Sequence, residues 1–329
     1  MSDDGAPRVG VVVLNWNGLA DTLECLDSLH AASPAPEVVV VVDNGSRDDS
    51  VAGVRAWARR AGLDLREVVG DERLAADERP QLVLVRLAEN RGFAGGNNAG
   101  LRLLHRRRDV SHVLLLNNDA AVAPDYFGAL AAALRAAPEA GLLSGTIYDH
   151  ADRAKVWYAG GASLPRRALV LHHEVRPPGD APLPTAFVTG CAMVVSRRAL
   201  DTIGALPECY FPAYVEDAEY SLRAHEAGLP VLYAPAPVVY HKLGATAGRS
   251  DVSPFVAYLL ARHRPFYVRR NLHGLTRLAA IAYLVATKPA RAAVELLRGR
   301  PAMARAILAG TASGLLSRDA WRETAPLSR

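Results

Sequence analysis

Carboxylates and carboxamides in this chain cluster at the ends of apolar runs. Asn15 and Asn17 follow the run at 9–14, and Asp43, with Asn44, Gly45 and Ser46 behind it, closes a run of valines. Asn117, Asn118 and Asp119 follow the run at 113–116, and Glu216 and Asp217 follow the aromatic stretch 210–214. Between them lies the glycine- and amide-rich segment 90–98. These residue types supply hydrogen-bonding groups and hard metal ligands rather than Cys or Ser nucleophiles. Loops at the carboxyl ends of strands converge on one crevice in an open α/β sheet. The five segments are therefore expected to form one site, suited to a nucleotide and a metal ion.

Each motif also has a plainer reading. Gly92, Gly95, Gly96 and Gly100 would let backbone N–H groups approach an anion at a helix start, with Asn97 and Asn98 adding amides for a ribose or phosphate oxygen. The same glycines would equally suit a simple turn. Their spacing is not the G-x-G-x-x-G of dinucleotide-binding folds. Asp43 can accept from a base or ribose, though strand-to-turn sequences of this kind are common. Asp119 is of the type that holds Mg2+ or Mn2+ with few protein ligands, the alternative being an N-cap for a helix near Pro124. Glu216 and Asp217 begin a helix, where acids are ordinary dipole partners. The preceding aromatic loop, however, suits a sugar-binding wall beside a general base. His241, at a strand end, is a candidate metal ligand or phosphate partner, or an ordinary structural histidine.

Alternating patterns must position these groups. Strands are expected at 9–14, 37–43, 81–87 and 113–116, and helices at 20–31, 50–61 and 95–106, which predicts a mostly parallel sheet with right-handed crossovers. Shorter strands follow at 141–147, 156–159 and 186–196, a short helix at 197–203, a helix at 217–227, and two short strands at 231–233 and 238–240. Segments 63–80 and 164–184 read as long irregular loops. From 255 to 321 the period is helical, with breaks expected at Pro265, Pro289 and Pro301.

The chain has 329 residues, half of them hydrophobic, and a formal charge of +4. Its three cysteines lack zinc spacing and suit a reducing compartment rather than a disulfide framework. The polar, acidic start does not read as a signal peptide. Arginine dominates from 262 onward. Such a basic end either meets an anionic membrane, through an apolar stripe at Leu278, Ile281, Tyr283 and Leu284, or is a solvated helical surface. The longest apolar stretch there, 278–286, is too short to span a bilayer.

The ordered set Asn15-Trp16-Asn17, 42–46, 90–98, 116–119, 188–193, Tyr210-Phe211, Glu216-Asp217, Leu222-Arg223, His241 and Arg270-Asn271 resembles the family 2 glycosyltransferases, especially their bacterial rhamnosyltransferase-like branch. The resemblance covers roughly residues 8 to 275. It implies a GT-A fold, an α/β architecture with a mostly parallel central sheet flanked by helices, here as a catalytic domain at 1–253 with a helical extension at 254–329. It implies inverting transfer from a nucleotide-diphosphate sugar (a dTDP-rhamnose-like, UDP- or GDP-sugar) with Asp217 as base. Asn15, Asn17, Asp43, Asn90, Gly92, Phe93, Asn97 and Asn118 would hold the donor. The family's metal motif is usually Asp-x-Asp; here only Asp119 remains, and it would share a Mn2+ or Mg2+ ion with His241. Trp157, Gly190, Tyr214, Glu216 and Arg223 would form the acceptor and sugar side.

The acceptor is expected to be a lipid-linked glycan or a small molecule, not nucleic acid. The corresponding pathway is surface-polysaccharide or natural-product biosynthesis, in the cytoplasm or at the inner face of the membrane. Two rivals stand beside this reading. A sugar nucleotidyltransferase would need a basic glycine-rich loop early in the chain, which Asn15-Trp16-Asn17-Gly18 is not. A non-catalytic nucleotide-sugar-binding module is the other, against which the intact Asp119 and Asp217 argue.

Overall fold

A computed structural model describes residues 7–75, 78–242 and 252–327; the polar start read from the sequence falls mostly outside them. Apart from β3, the first half alternates as expected: β1 (Val9–Asn15), α1 (Leu19–Ala31), β2 (Val38–Asp43), α2 (Ser50–Ala61), β3 (Leu65–Val69), β4 (Leu82–Arg86), α3 (Gly92–Arg106) and β5 (His112–Asn117). Then come β6 (Ala120–Val122), α4 (Tyr126–Ala136), β7 (Leu142–Asp149), β8 (Val156–Tyr158), β9 (Gly161–Leu164), β10 (Leu169–His172), β11 (Leu183–Pro184) and β12 (Ala192–Ser196). The chain continues through α5 (Arg197–Ile203), α6 (Glu216–Glu226) and β13 (Val231–His241) to α7 (Pro254–Asn271), α8 (Gly274–Leu297) and α9 (Pro301–Leu316).

The main sheet runs β11-β13-β7-β12-β5-β1-β2-β4-β3, with β6 paired to β13 and β8 to β7. The block β5-β1-β2-β4-β3 is parallel, while β12 runs antiparallel between β5 and β7. Alternation along β1 explains the layering. Val11 and Val13 pack with Leu26 of α1 and Trp57 of α2 on one face, and Val12 packs with Leu101 and Leu104 of α3 on the other. Both faces are covered, so the strands read as unbroken valine runs.

Several expectations are corrected. The polar segment 63–80 contains β3, an edge strand with only Val68 fully buried, so it lacks the apolar run that marks a central strand. The segment 164–184 contains β10 and β11, and β10 pairs with β9 as a separate two-stranded ribbon. The strand expected from 186 begins at Ala192. The two strands at 231–240 are one, β13, whose register shifts between Tyr233 and Val238, across Pro235 and Pro237. Pro265 and Pro289 lie inside α7 and α8. The breaks come instead at 272–273 and at Gly299, which has positive φ, ahead of Pro301. Tertiary packing overrides the local preference at Pro265: Gly310 and Gly314 of α9 abut the backbone of α7 at Tyr258 and Arg262, and Gly314 also meets the Pro265 ring.

α7 is fastened to α6 by a buried carboxylate. Glu219 is 1% exposed and receives two hydrogen bonds from Arg270 (2.8 and 2.7 Å), one from Asn271 (2.9 Å) and one from the Tyr210 hydroxyl (2.5 Å). Of the four residues expected to form an outward stripe on α8, only Leu278 is exposed; Leu284 is fully buried, and Ile281 and Tyr283 pack partly buried against the same core.

Candidate active site

Register puts the first polar groups side by side. Asn15, the last residue of β1, pairs with Asp43, the last of β2, and Leu14 pairs with Asn117 of β5. Asn15 Nδ2 donates to Asp43 Oδ1 at 3.1 Å and to Ser46 Oγ at 3.2 Å, while its Oδ1 accepts from the Thr22 hydroxyl at 2.9 Å and from Gly18 N at 3.2 Å. Asn118 Nδ2 donates to the same Thr22 hydroxyl at 3.0 Å, and Asn17 Oδ1 accepts from Arg47 N at 2.7 Å. The amides expected to reach a ligand are thus engaged in the loop itself. Asn15 and Asp43 are 1% and 4% exposed. Trp16 of this loop is exposed, at 55%. Its ring face is available to stack on a planar ligand.

The glycine-rich segment corrects the expectation of an open anion cradle. α3 starts at Gly92, not Gly95, and its first N–H groups already have partners. Gly92 N donates to Asn90 Oδ1 at 2.7 Å and Phe93 N to Pro212 O at 2.6 Å. A Cβ on Gly96 would strike Leu14 and Asn44, and one on Gly100 would strike Val12. These glycines bring the helix close to the sheet. Asn97, 1% exposed, donates back to Phe93 O within its own helix, and Asn98 bonds Leu206 O and Glu208.

A cavity of about 500 Å³ lies beside this crevice. Phe93, Asp119, Trp157, Gly190, Tyr214, Glu216, Asp217 and His241 all line it, so eight residues drawn from distant parts of the sequence meet on one wall. Its other wall is apolar and was not expected: Leu169 and Val170 of β10, and Leu260 and Tyr267 of α7, with His172 and Arg264 as polar members. The His172 ring meets Trp157 edge-on at 4.5 Å, and Trp157 lies 4.8 Å from His241. The short apolar run 169–171 was the available signal for β10. Nothing in the sequence marks α7 as part of the wall.

Tyr214 and Val215, both at positive φ (82° and 81°), turn the chain into α6. That conformation is costly for a β-branched residue and is held by its surroundings. It delivers the two acids together. Asp217 Oδ2 accepts from Gly190 N at 3.0 Å. Burial raises its pKa, against which the backbone N–H groups of Gly190 and Ala218 work. Glu216 is 5% exposed, and its Oε2 has no hydrogen-bond partner among the described residues. Burial, with the Asp217 charge alongside, pushes its pKa up to about 8.

Pairing of β6 with β13 sets Ala120 opposite His241, which brings Asp119 to that histidine. His241 Nε2 lies 3.2 Å from Asp119 Oδ1. The contact is an ion pair, not an aligned hydrogen bond: Asp119 Oδ1 and His241 Nδ1 are both buried without a hydrogen-bond partner among the described residues. Burial disfavours the imidazolium, but the Cys191 sulfur and the Asp119 carboxylate outweigh it and raise the pKa of His241. Burial also raises that of Cys191, which favours its neutral thiol and leaves Asp119 as the counter-charge. Asp119 Oδ1 and His241 Nε2, 3.2 Å apart, would share a hard divalent ion only with the imidazole neutral, so that binding releases its proton, and the ion would take its other ligands from a substrate. No cluster of three ligating side chains occurs among the described residues.

Arg223 is not part of the cavity, contrary to expectation. Two turns along α6 from the acids, its guanidinium donates to Ala205 O (3.1 Å) and Ile203 O, closing the end of α5.

The sequence profile described as "Glycosyltransferase like family 2" matches residues 7–253. An N-acetylglucosaminyl-diphospho-decaprenol L-rhamnosyltransferase of Mycobacterium tuberculosis is 24% identical over 263 residues, 74% of this chain and 77% of the relative. Among solved structures, the mannosyltransferase PcManGT of Pyrobaculum calidifontis, in complex with GDP-Man and Mn2+, aligns with a TM-score of 0.54 at 20% identity, covering 96% of this chain and 89% of that one. GalNAc-T7, with UDP, GalNAc and Mn2+, aligns with a TM-score of 0.59 at 14% identity over 82% of this chain; the match spans about half (51%) of that chain. S. aureus TarS 1–349, in complex with UDP-GlcNAc, aligns at 0.52 and 16% identity, covering 84% of this chain and 71% of that one. These likenesses identify the GT-A fold.

Proposed function

The chain belongs to glycosyltransferase-like family 2, and on that premise we propose that it transfers a sugar, with inversion, from a nucleoside-diphosphate donor to an acceptor hydroxyl held beside Asp217. The observation that carries this reading is Asp217 itself, a half-buried carboxylate on the cavity wall, oriented by Gly190 N and with raised proton affinity. A base with a pKa shifted toward neutrality is worth about 10²- to 10⁴-fold in rate. The acceptor oxygen attacks the anomeric carbon as its proton passes to Asp217. The bond from that carbon to the diphosphate oxygen breaks, and the electron pair leaves with the nucleotide.

The donor's base and ribose are assigned to the crevice at the ends of β1 and β2, with Asp43 as acceptor, Asn15, Asn17 and Asn118 shaping its loop, and Trp16 as a stacking face. Asn90, Gly92 and Asn97 act from behind, by setting the start of α3 and so the position of Phe93. A Mn2+ or Mg2+ ion held by Asp119 and His241 would supply Lewis-acid stabilisation to the departing diphosphate. Glu216 Oε2, buried without a partner among the described residues, is placed to hydrogen-bond a sugar hydroxyl, with Trp157 and Tyr214 as the adjoining aromatic wall.

For the acceptor, the apolar wall from Leu169 to Tyr267 favours a glycan carried on an apolar group, in keeping with the diphospho-decaprenol named for the mycobacterial relative. The catalytic part is assigned to 1–253 and the helical extension to 254–329, with the reaction at the cytoplasmic face of the membrane.

The test is calorimetric titration with UDP, dTDP and GDP, each with Mn2+ and then with EDTA, followed by transfer assays with sugar donors of the nucleotide that binds. Nucleotide binding that collapses in EDTA and is weakened in Asp119→Ala supports the assignment. Binding indifferent to EDTA removes Asp119 and His241 from a metal role. Binding without transfer or hydrolysis of any donor would favour a non-catalytic sugar-nucleotide module.

A further inference from the structure

α8 has an outer face that none of the described residues covers. Ala280, Leu284 and Ala292 point inward and are buried. Of the twelve exposed residues from Leu275 to Leu297, eleven are apolar, and Arg291 is the exception. Leu275 is 85% exposed, Leu278 64%, Val285 51%, Leu296 55% and Leu297 89%. The helix has 24 residues, so this face runs for about 36 Å. Leu308 and Leu316 of α9 and the nearby Trp321 add further exposed apolar side chains. Contiguous apolar surface of this extent on a soluble fold marks an interaction site.

Charge identifies the occupant. Residues 254–329 carry thirteen Arg and Lys against three Asp and Glu, a net +10, whereas the chain as a whole is +4 and residues 1–253 are therefore −6. Glu295, 2% exposed, is surrounded by Arg291, Arg298 and Arg300, and Asp319 is paired with Arg262. A second copy docking on this face would bring one basic helical unit against another. An anionic bilayer offers both an apolar interior and the opposite charge. Among the described residues no helix is long and apolar enough to cross a membrane. The same helical unit supplies Leu260, Arg264 and Tyr267 to the cavity wall.

We propose that the chain docks on anionic bilayers through the outer apolar face of α8, which lies in the plane of the interface beside the cavity. This deepens the acceptor assignment, resting on it only for the purpose of docking and not for the docking itself.

The experiment is co-sedimentation of the full chain with phosphatidylglycerol/phosphatidylcholine vesicles and with pure phosphatidylcholine vesicles, at low and high salt. The comparison is the triple variant Leu278→Glu, Val285→Glu, Leu296→Glu, all at exposed positions. Wild type is expected to prefer the anionic vesicles and to bind less at high salt. The variant should lose affinity about a hundredfold while keeping its unfolding midpoint and its transfer to a water-soluble acceptor analogue. Equal vesicle binding by wild type and variant overturns the proposal. So does absence of vesicle binding by wild type together with a lipid-free dimer that the variant breaks, which would make a second copy the occupant. Vesicle binding lost in the variant, with no transfer by wild type to any acceptor, upholds the docking face and refutes the acceptor assignment.

Discussion

Replacing Arg270 with methionine should destabilise the protein out of proportion to the size of the change. Glu219 is 1% exposed, and Arg270 supplies two of its four hydrogen bonds. Arg270→Met keeps much of the apolar stem but leaves a buried carboxylate with only Asn271 and Tyr210. Removing one partner of a buried pair costs about 3–5 kcal/mol. The pH dependence should change as well. In wild type, burial raises the Glu219 pKa, but Arg270, Asn271 and Tyr210 together overcome it and hold it below the usual value. That contribution is present above the unfolded pKa and is lost as pH falls through the folded one. Without Arg270 the burial effect prevails, and the carboxyl should favour its protonated form. The variant's deficit should therefore narrow as the solution is acidified toward pH 4–5. Urea unfolding at pH 7.5 and pH 5 measures both effects, and the double variant Glu219→Gln, Arg270→Met should recover part of the loss. A loss under about 1 kcal/mol at pH 7.5, or a deficit that does not narrow at pH 5, would refute the claim that this pair fastens α7 to α6.

Glu216→Gln tests the unpartnered acid. With a folded pKa of about 8, wild-type Glu216 favours the fold fully below its unfolded pKa, and that contribution is lost as pH rises through about 8. Between pH 5 and pH 9 the variant should gain on wild type by at most about 4–5 kcal/mol in chemical denaturation; a constant difference would mean that Glu216 is not the buried acid described. Asp217→Asn should lower transfer by about 10³-fold or more while nucleotide affinity stays within a few-fold, and retained turnover would take Asp217 out of the base role. Gly100→Val should cost about 1–3 kcal/mol, because its side chain enters the space of Val12. Nucleotide affinity of the folded fraction should be unchanged, and a selective loss of binding with normal stability would restore a ligand role to the glycine segment.

By itself the sequence determined β1, β2, β4 and β5 and the helices α1 to α3 that cover them, because a strand buried on both faces must read as an apolar run and its covering helices must repeat at 3.6 residues; the edge strand β3, with one buried residue, left no such run. It also determined that the segments around Asn15, Asp43, Asp119 and Asp217 stand at element ends, and the order of motifs disclosed the family. Tertiary structure decided what those residues face. Gly96 and Gly100 lie against Leu14 and Val12 rather than a ligand, in a helix α3 that begins three residues earlier than its periodicity indicates. Arg223, two turns beyond the acids, turns to the backbone carbonyls of Ile203 and Ala205 at the end of α5. The meeting of Asp119 with His241 depends on the pairing of β6 with β13, and the apolar cavity wall depends on β10 and α7 folding back over the site. These are contacts between residues from 18 to more than 100 positions apart. They are set by strand register and helix docking, for which local residue preference carries no information.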